Sequence, residues 1–150
     1  MPAPARTVIL LPAATRTTTG TGSTIICIEG YTAARIRLTN TTVTGTSPTL
    51  NMRIQQGIAT DQGSATAGDL ATGATSWDDF LSFTQSTTTD TTRIIRIVGG
   101  GNDDNAASAN ALAANTRRNG PLGSLWRVAW TIGGTNPSFQ GVGVIAELIP

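Results

Sequence analysis

The side chains able to do covalent or acid–base chemistry are few. The chain of 150 residues contains no histidine, and every one of its ten cationic side chains is an arginine. Without histidine there is no Ser-His nucleophile pair and no imidazole metal ligand. Without lysine there is no Schiff base and no phosphate-cradling P-loop. Carboxylates remain, nine in all, with Asp78-Asp79 and Asp103-Asp104 adjacent in sequence. Neighbours along a strand point to opposite faces, so such pairs do not converge on one substrate by themselves. The run Gly99 to Asn105 (GGGNDDN) has the oxygen ligands of a Ca²⁺ loop but lacks EF-hand spacing and a closing glutamate. No pair of acids sits in a glycosidase-like motif. The reading is of a protein without catalysis, metal or cofactor.

What must be positioned, then, are contact residues. Two Thr/Gly/Pro motifs organise the chain. Thr42 to Leu50 (TVTGTSPTL) recurs about ninety residues later as Thr131 to Phe139 (TIGGTNPSF). Alternating apolar residues flank both: Ala34, Ile36 and Leu38 before the first, Leu50, Met52 and Ile54 after it. Around the second lie Trp126, Val128, Trp130 and Ile132, then Val142, Val144, Ala146 and Leu148. A period of two marks strands with one buried face. Gly and Pro in the motifs are turn formers, glycine because it reaches positive φ freely and proline because its φ is fixed. The pattern predicts two copies of one hairpin, one in each of two sheets, with Trp130 buried between the sheets.

Further strands are expected at Thr7 to Leu11, Thr24 to Ile28, Phe80 to Thr84 and Ile94 to Val98. Arg16 to Ser23, Ile58 to Ser76 and Gln85 to Thr92 read as loops or turns. Ala106 to Ala114 is rich in the best helix former, with Asp103 to Asn105 placed to cap it and Arg117 and Arg118 at the negative end of its dipole. A short helix is expected near 104–117. The fold class is therefore all-β: an antiparallel β-sandwich, jelly-roll or immunoglobulin-like, of about eight strands, with one helical insertion. Residues 1–6 read as an extended, proline-rich arm and 7–150 as a single domain, large enough to need no disulfide staple. Cys27, the sole cysteine, lies in an apolar run and reads as a buried thiol.

Charged residues make up only 13% of the chain and the formal net charge is +1, which gives no electrostatic reason to expect nucleic acid or a membrane surface. Arginine is enriched at protein interfaces while lysine is depleted, and genomic base composition favours the same residues. Pro2, Pro4 and Arg6 in the arm, with Arg117 and Arg118 after the helix, are the candidates for contact with a partner. Tyr31 and Trp77, beside loops, are the candidates for a stacking ligand such as a sugar.

Several segments together resemble small β-sandwich structural proteins of tailed bacteriophages. They are Thr19 to Ser23 (TGTGS), Ala34 to Leu38 (ARIRL), Val43 to Leu50 (VTGTSPTL), Trp77 to Phe83 (WDDFLSF) and Arg127 to Phe139 (RVAWTIGGTNPSF). The resemblance spans most of the chain and is specific in the two repeated motifs. The 58–76 loop and the 99–120 insertion depart from it. It implies a virion component without catalysis, and within that family the compact β body, proline-rich arm, long Gly/Thr loops and few charges favour a capsid decoration or cement protein on the head exterior. Its partners would be the major capsid protein or neighbouring virion subunits, and it would be a homo-oligomer, with a trimer favoured. A receptor- or carbohydrate-binding module, or another minor structural protein, of a phage tail or fibre is the alternative.

Overall fold

The structure, a computed structural model, describes residues 4–26, 31–59, 75–98, 113–114, 116–117 and 125–150. Among the described residues nine strands form: β1 (Arg6–Arg16), β2 (Gly20–Thr21), β3 (Ile25–Ile26), β4 (Ala33–Asn40), β5 (Thr42–Ala59), β6 (Thr75–Ser82), β7 (Asp90–Val98), β8 (Thr116–Arg117) and β9 (Leu125–Ile149). All pairings are antiparallel and all belong to one sheet, which curls into a half-barrel. The all-β, antiparallel expectation holds. In place of two stacked sheets, the hydrogen bonding of the described residues links a single curled one.

The architecture reduces to long antiparallel runs laid side by side, with β9 in the interior. On one side of it, β4 and β5 follow each other along its whole length, from Ala33↔Ile149 to Gly57↔Leu125. On its other side, β1, β2 and β3 do the same, from Arg6↔Leu148 to Ile26↔Leu125. Beyond β5 lies β6, which continues through the Leu50↔Ser86 bridge towards β7 beyond β4. β8 adds to the far side of β6 through Leu81↔Arg117 and Ser82↔Thr116.

The β5–β9 ladder shifts register between Thr44 and Thr46 and between Thr46 and Thr49, inside the two repeated motifs, and such bulges bend the strands that carry them. Val43 pairs with Phe139 and Leu50 with Ile132, so the second and ninth positions of each copy exchange partners; Thr46 pairs with Thr135 at the centre. The motifs therefore cross each other about a local pseudo-two-fold axis. Gly45 and Gly134, equivalent positions, have φ of 115° and 107°, and Ser47 and Asn136, also equivalent, both have φ of 49°. Each glycine lies against the other motif's backbone. A Cβ on Gly45 would sit 2.7 Å from the Asn136 carbonyl oxygen, and one on Gly134 would sit 2.6 Å from that of Ser47. The expected hairpins are thus corrected: neither motif returns its own strand, and both are mid-strand corners. Glycine and proline mark bulges and corners in sheets as well as hairpin turns, and composition does not distinguish these uses.

The inner face holds the core. Alternation puts Ala34, Ile36 and Leu38 of β4, Leu50, Met52 and Ile54 of β5, and Trp126, Val128 and Trp130 of β9 in one buried cluster. Trp126 is fully buried and meets Phe80 edge-on, with ring centroids 5.0 Å apart. Trp130 is buried as expected, beside Ile132, and its indole N–H donates to the Thr18 carbonyl at 2.8 Å. Its ring covers Gly20, where a Cβ would approach to 2.8 Å. That contact explains why the TGTGS segment, read as loop, carries glycine where β2 pairs with β9.

Two other expectations change. The helix near 104–117 is not formed at its C-terminal end, where Thr116 and Arg117 are strand β8; residues 103–112 lie outside the described residues. The open edge of β6 offers these two residues backbone partners, whereas the helix had only Leu112 as a large apolar side chain to bury. The 58–76 loop is narrower than expected, because Ile58↔Ser76 and Ala59↔Thr75 continue the β5–β6 ladder; 60–74 lie outside the described residues, as does Cys27.

Candidate functional site

The inner face is filled, so contact chemistry falls to the outer face. The bends divide that face into two regions with different side chains.

The first region lies over β1, β9, β4 and β7. Register aligns two rows across these strands. Ile9 pairs with Ile145, Ile145 with Arg37, and Arg37 with Ile94. One step along the strands, Thr7 pairs with Glu147 and Glu147 with Arg35. Ile9 and Ile94 are 59% and 56% exposed, the most exposed large apolar side chains among the described residues. The Arg35 guanidinium donates to the Glu147 carboxylate, with Nε 2.6 Å from Oε2. Both side chains are well exposed, which limits such a pair to at most ~1 kcal/mol of stability. Arg37 makes no ion pair among the described residues. Thr7, Arg35, Arg37, Ile94, Ile145 and Glu147 line an open recess of about 210 Å³. That volume is below the ~300–1,000 Å³ typical of small-molecule sites; it suits a protruding side chain better than a free metabolite.

The second region lies over β6, β5 and β9. Gln55 stands between Asp79 and Arg127 in one row. Its amide donates to Asp79 Oδ1 at 2.7 Å and accepts from Arg127 Nε at 2.7 Å. The Asp79 side chain is fully buried, and Arg53 approaches its other oxygen at 3.5 Å. The Arg127 guanidinium lies over the Trp77 ring, 4.2 Å from the centroid. Burial pushes Arg127 below the ordinary guanidinium value, and the Asp79 charge pushes it back up. This is a satisfied polar network with a cation–π lid, and its geometry holds β5, β6 and β9 together from outside.

The structure places the sequence candidates as follows. Pro4 is exposed ahead of β1, and the Tyr31 hydroxyl donates to its carbonyl at 3.4 Å. Pro4, within the segment read as arm, therefore lies beside Tyr31. Arg6 is exposed and pairs with Leu148 as the first residue of β1, so the ladder starts within the segment read as arm. Trp77 is half-buried beneath Arg127. Arg117 is exposed on β8. Pro2 and Arg118 lie outside the described residues. Tyr31 and Pro4 are brought together by a hydrogen bond.

Sequence reasoning missed Ile9, Arg35, Arg37, Ile94, Ile145 and Glu147 as a group. A partial signal was present, since Arg35 and Arg37 alternate with the buried Ala34, Ile36 and Leu38 and so had to face outward together. Their meeting with Glu147 and Ile94 depends on strand order, which alternation does not carry.

Among the described residues no group of three or more Cys, Asp or Glu side chains is placed to hold a metal. The chain matches no protein-family model, no curated protein and no solved structure.

Proposed function

We propose that this protein is a non-enzymatic structural subunit of a tailed-phage virion, a capsid decoration or cement protein. It would sit on the exterior of the head and stabilise it by binding the major capsid protein or neighbouring subunits, as one member of a homo-oligomer. In this reading the curled sheet is a sandwich-like body whose two halves close over one core. The observation that carries it is the outer face over β1, β9, β4 and β7, with half-exposed Ile9 and Ile94 around Arg37. A patch of aliphatic side chains with arginine among them has the composition of an interface core. The resemblance to phage structural proteins adds support, since its most specific segments are the two motifs that cross at the bends.

A subunit that binds only the assembled shell stabilises it by mass action. Particles lacking this protein should form, yet fail at lower temperature than complete ones. Re-adding the purified protein should restore resistance and saturate at a fixed number of copies per particle. Protein-free particles that are equally robust but fail to adsorb to cells would replace this reading with the host-binding one.

A further inference from the structure

We infer that the outer face over β1, β9, β4 and β7 is a self-complementary docking surface, and that its occupant is the same face of a second copy of this chain. The inference rests on the register of the sheet and not on the virion reading.

Across the four strands the first row reads Ile9, Ile145, Arg37, Ile94. The second row reads Thr7, Glu147, Arg35 over β1, β9 and β4, and Arg96 takes the matching register position on β7, opposite Thr7 of the second copy in the arrangement below. Let two copies pack face to face about a two-fold axis running along the strands, between β9 and β4. The rows then fold onto their own reversed order. Ile9 meets Ile94 of the second copy, so the most exposed apolar side chains cover each other. Ile145 meets the aliphatic stem of Arg37, which amphipathic side chains offer to apolar neighbours. Glu147 meets Arg35 of the second copy, so the ion pair already present in each chain becomes an alternating ring of two arginines and two glutamates. An axis across the strands instead sets Arg35 against Arg37 and is repulsive. The charges thus select one of the two face-to-face arrangements.

Sheets stacked in this way lie about 10 Å apart, with strands crossing at about 30° because of twist. The recess lined by Arg35, Arg37, Ile94, Ile145 and Glu147 gives the opposing side chains room to interdigitate. Four strands at ~4.8 Å spacing and about seven residues of each give a face roughly 20 Å on a side. That is smaller than the ~800 Å² per partner of a standard interface, so the association is weak and concentration-dependent. It is a two-fold contact, separate from any three-fold contact a capsid trimer would use.

The test is sedimentation velocity of the purified full chain across a wide concentration range. Wild type should move from monomer towards dimer as concentration rises. Ile94→Asp should remain monomeric with an unchanged melting temperature, since that side chain is half in solvent already. Glu147→Gln should weaken the dimer by roughly tenfold or more, the worth of a charge-assisted contact. Thr131→Asp, exposed on another part of β9, should leave it unchanged. Treating Ile9→Cys mixed with Ile94→Cys with a short bismaleimide, which spans sheets ~10 Å apart where a disulfide reaches only about 7 Å between Cα atoms, should give cross-linked dimers above the level of either variant alone and of wild type, which retains Cys27. Wild type that stays monomeric at the highest concentration, a dimer indifferent to Ile94→Asp, or equal cross-linking in mixed and single samples would each overturn the proposal. Loss of particle binding by Ile94→Asp with a monomeric wild type would overturn it too, by assigning the face to a different protein.

Discussion

The crossing of the two motifs can be tested by adding one methyl group. Gly134→Ala places a Cβ 2.6 Å from the Ser47 carbonyl oxygen, 2.9 Å from that of Thr46 and 3.0 Å from Pro48 Cα, all backbone atoms of the opposite run. It does so at φ of 107°, where an L-residue is strained. The conformational part costs about 1–3 kcal/mol, and overpacking against atoms that cannot rotate away adds about 1–3 kcal/mol. The expected total is ~2–6 kcal/mol, or a fall in melting temperature of about 4–24 °C at 2–4 °C per kcal/mol for a chain of this size. Gly133→Ala is the control. Its Cβ would approach Thr49 Oγ1, a side-chain atom free to turn aside, so the cost should stay near ~1 kcal/mol or less. The pseudo-symmetry adds a second requirement. Gly45→Ala should cost about as much as Gly134→Ala, and the double variant should cost less than the sum, because the first methyl already opens the crossing. Urea denaturation of the four variants measures all of this. A solvent-exposed hairpin turn would accept the methyl with only the conformational cost and no coupling between the sites. A Gly134→Ala variant within one kcal/mol of wild type, or fully additive glycine variants, would refute the crossing.

Other substitutions probe the rest of the fold. Trp126→Ala should cost ~3–5 kcal/mol in denaturant unfolding, as for other fully buried aromatics, and Trp130→Ala should fall in the same range while also releasing the Thr18 carbonyl. Asp79→Ala should cost ~2–4 kcal/mol, because it leaves the Gln55 amide and Arg53 without their buried acceptor; a change below ~1 kcal/mol would mean that the network adds nothing. Tyr31→Phe should shift the melting temperature by no more than about 2 °C, since the bond it removes is long and exposed. A large loss there would show that the segment at Pro4 is an integral part of the body.

How much was legible in the sequence depends on which interaction carried the information. Alternation at Ala34 to Leu38, Leu50 to Ile54 and Trp126 to Trp130 identified the buried face, because burial acts residue by residue. The repeat of Thr42 to Leu50 at Thr131 to Phe139 was visible as well. Its meaning was not, because a glycine at positive φ followed by Ser-Pro or Asn-Pro serves a tight turn and a strand corner equally. Deciding between them requires knowing that Val43 meets Phe139, a pairing of residues far apart in sequence. The C-terminal end of the helix expected near 104–117 changed for a related reason: alanine content is a weak local preference, and the edge of β6 overrode it at Thr116 and Arg117. The outer-face residues were hidden longest. Arg35 and Arg37 were legible as outward-facing, but Glu147 and Ile94 join them only through strand order.

The bends also bear on how such a body could act between neighbours. A flat sheet has one outer face, and whatever binds it approaches from one direction. Here β9 and the β4–β5 run both turn at the crossing, so the region holding Ile9, Arg37 and Ile94 and the region holding Trp77, Arg127 and Asp79 follow different parts of one curled sheet. Their chemistry differs in the same way. The first leaves aliphatic side chains in solvent and Arg37 without an ion pair among the described residues. The second satisfies its charges internally, with Asp79 buried and Arg127 folded onto Trp77. Under the proposed function the two regions have separate duties, recognition on the first and rigidity on the second. Arg127→Ala should therefore lower the melting temperature by a few degrees through lost cation–π and packing contacts, while leaving self-association and attachment to particles as in wild type. Ile94→Asp should leave the melting temperature unchanged and abolish self-association, weakening attachment to particles through loss of the dimer. Sedimentation, thermal melting and particle binding measured on this pair of variants separate the two duties. A pair in which each variant impairs stability and binding alike would show that the regions act as one.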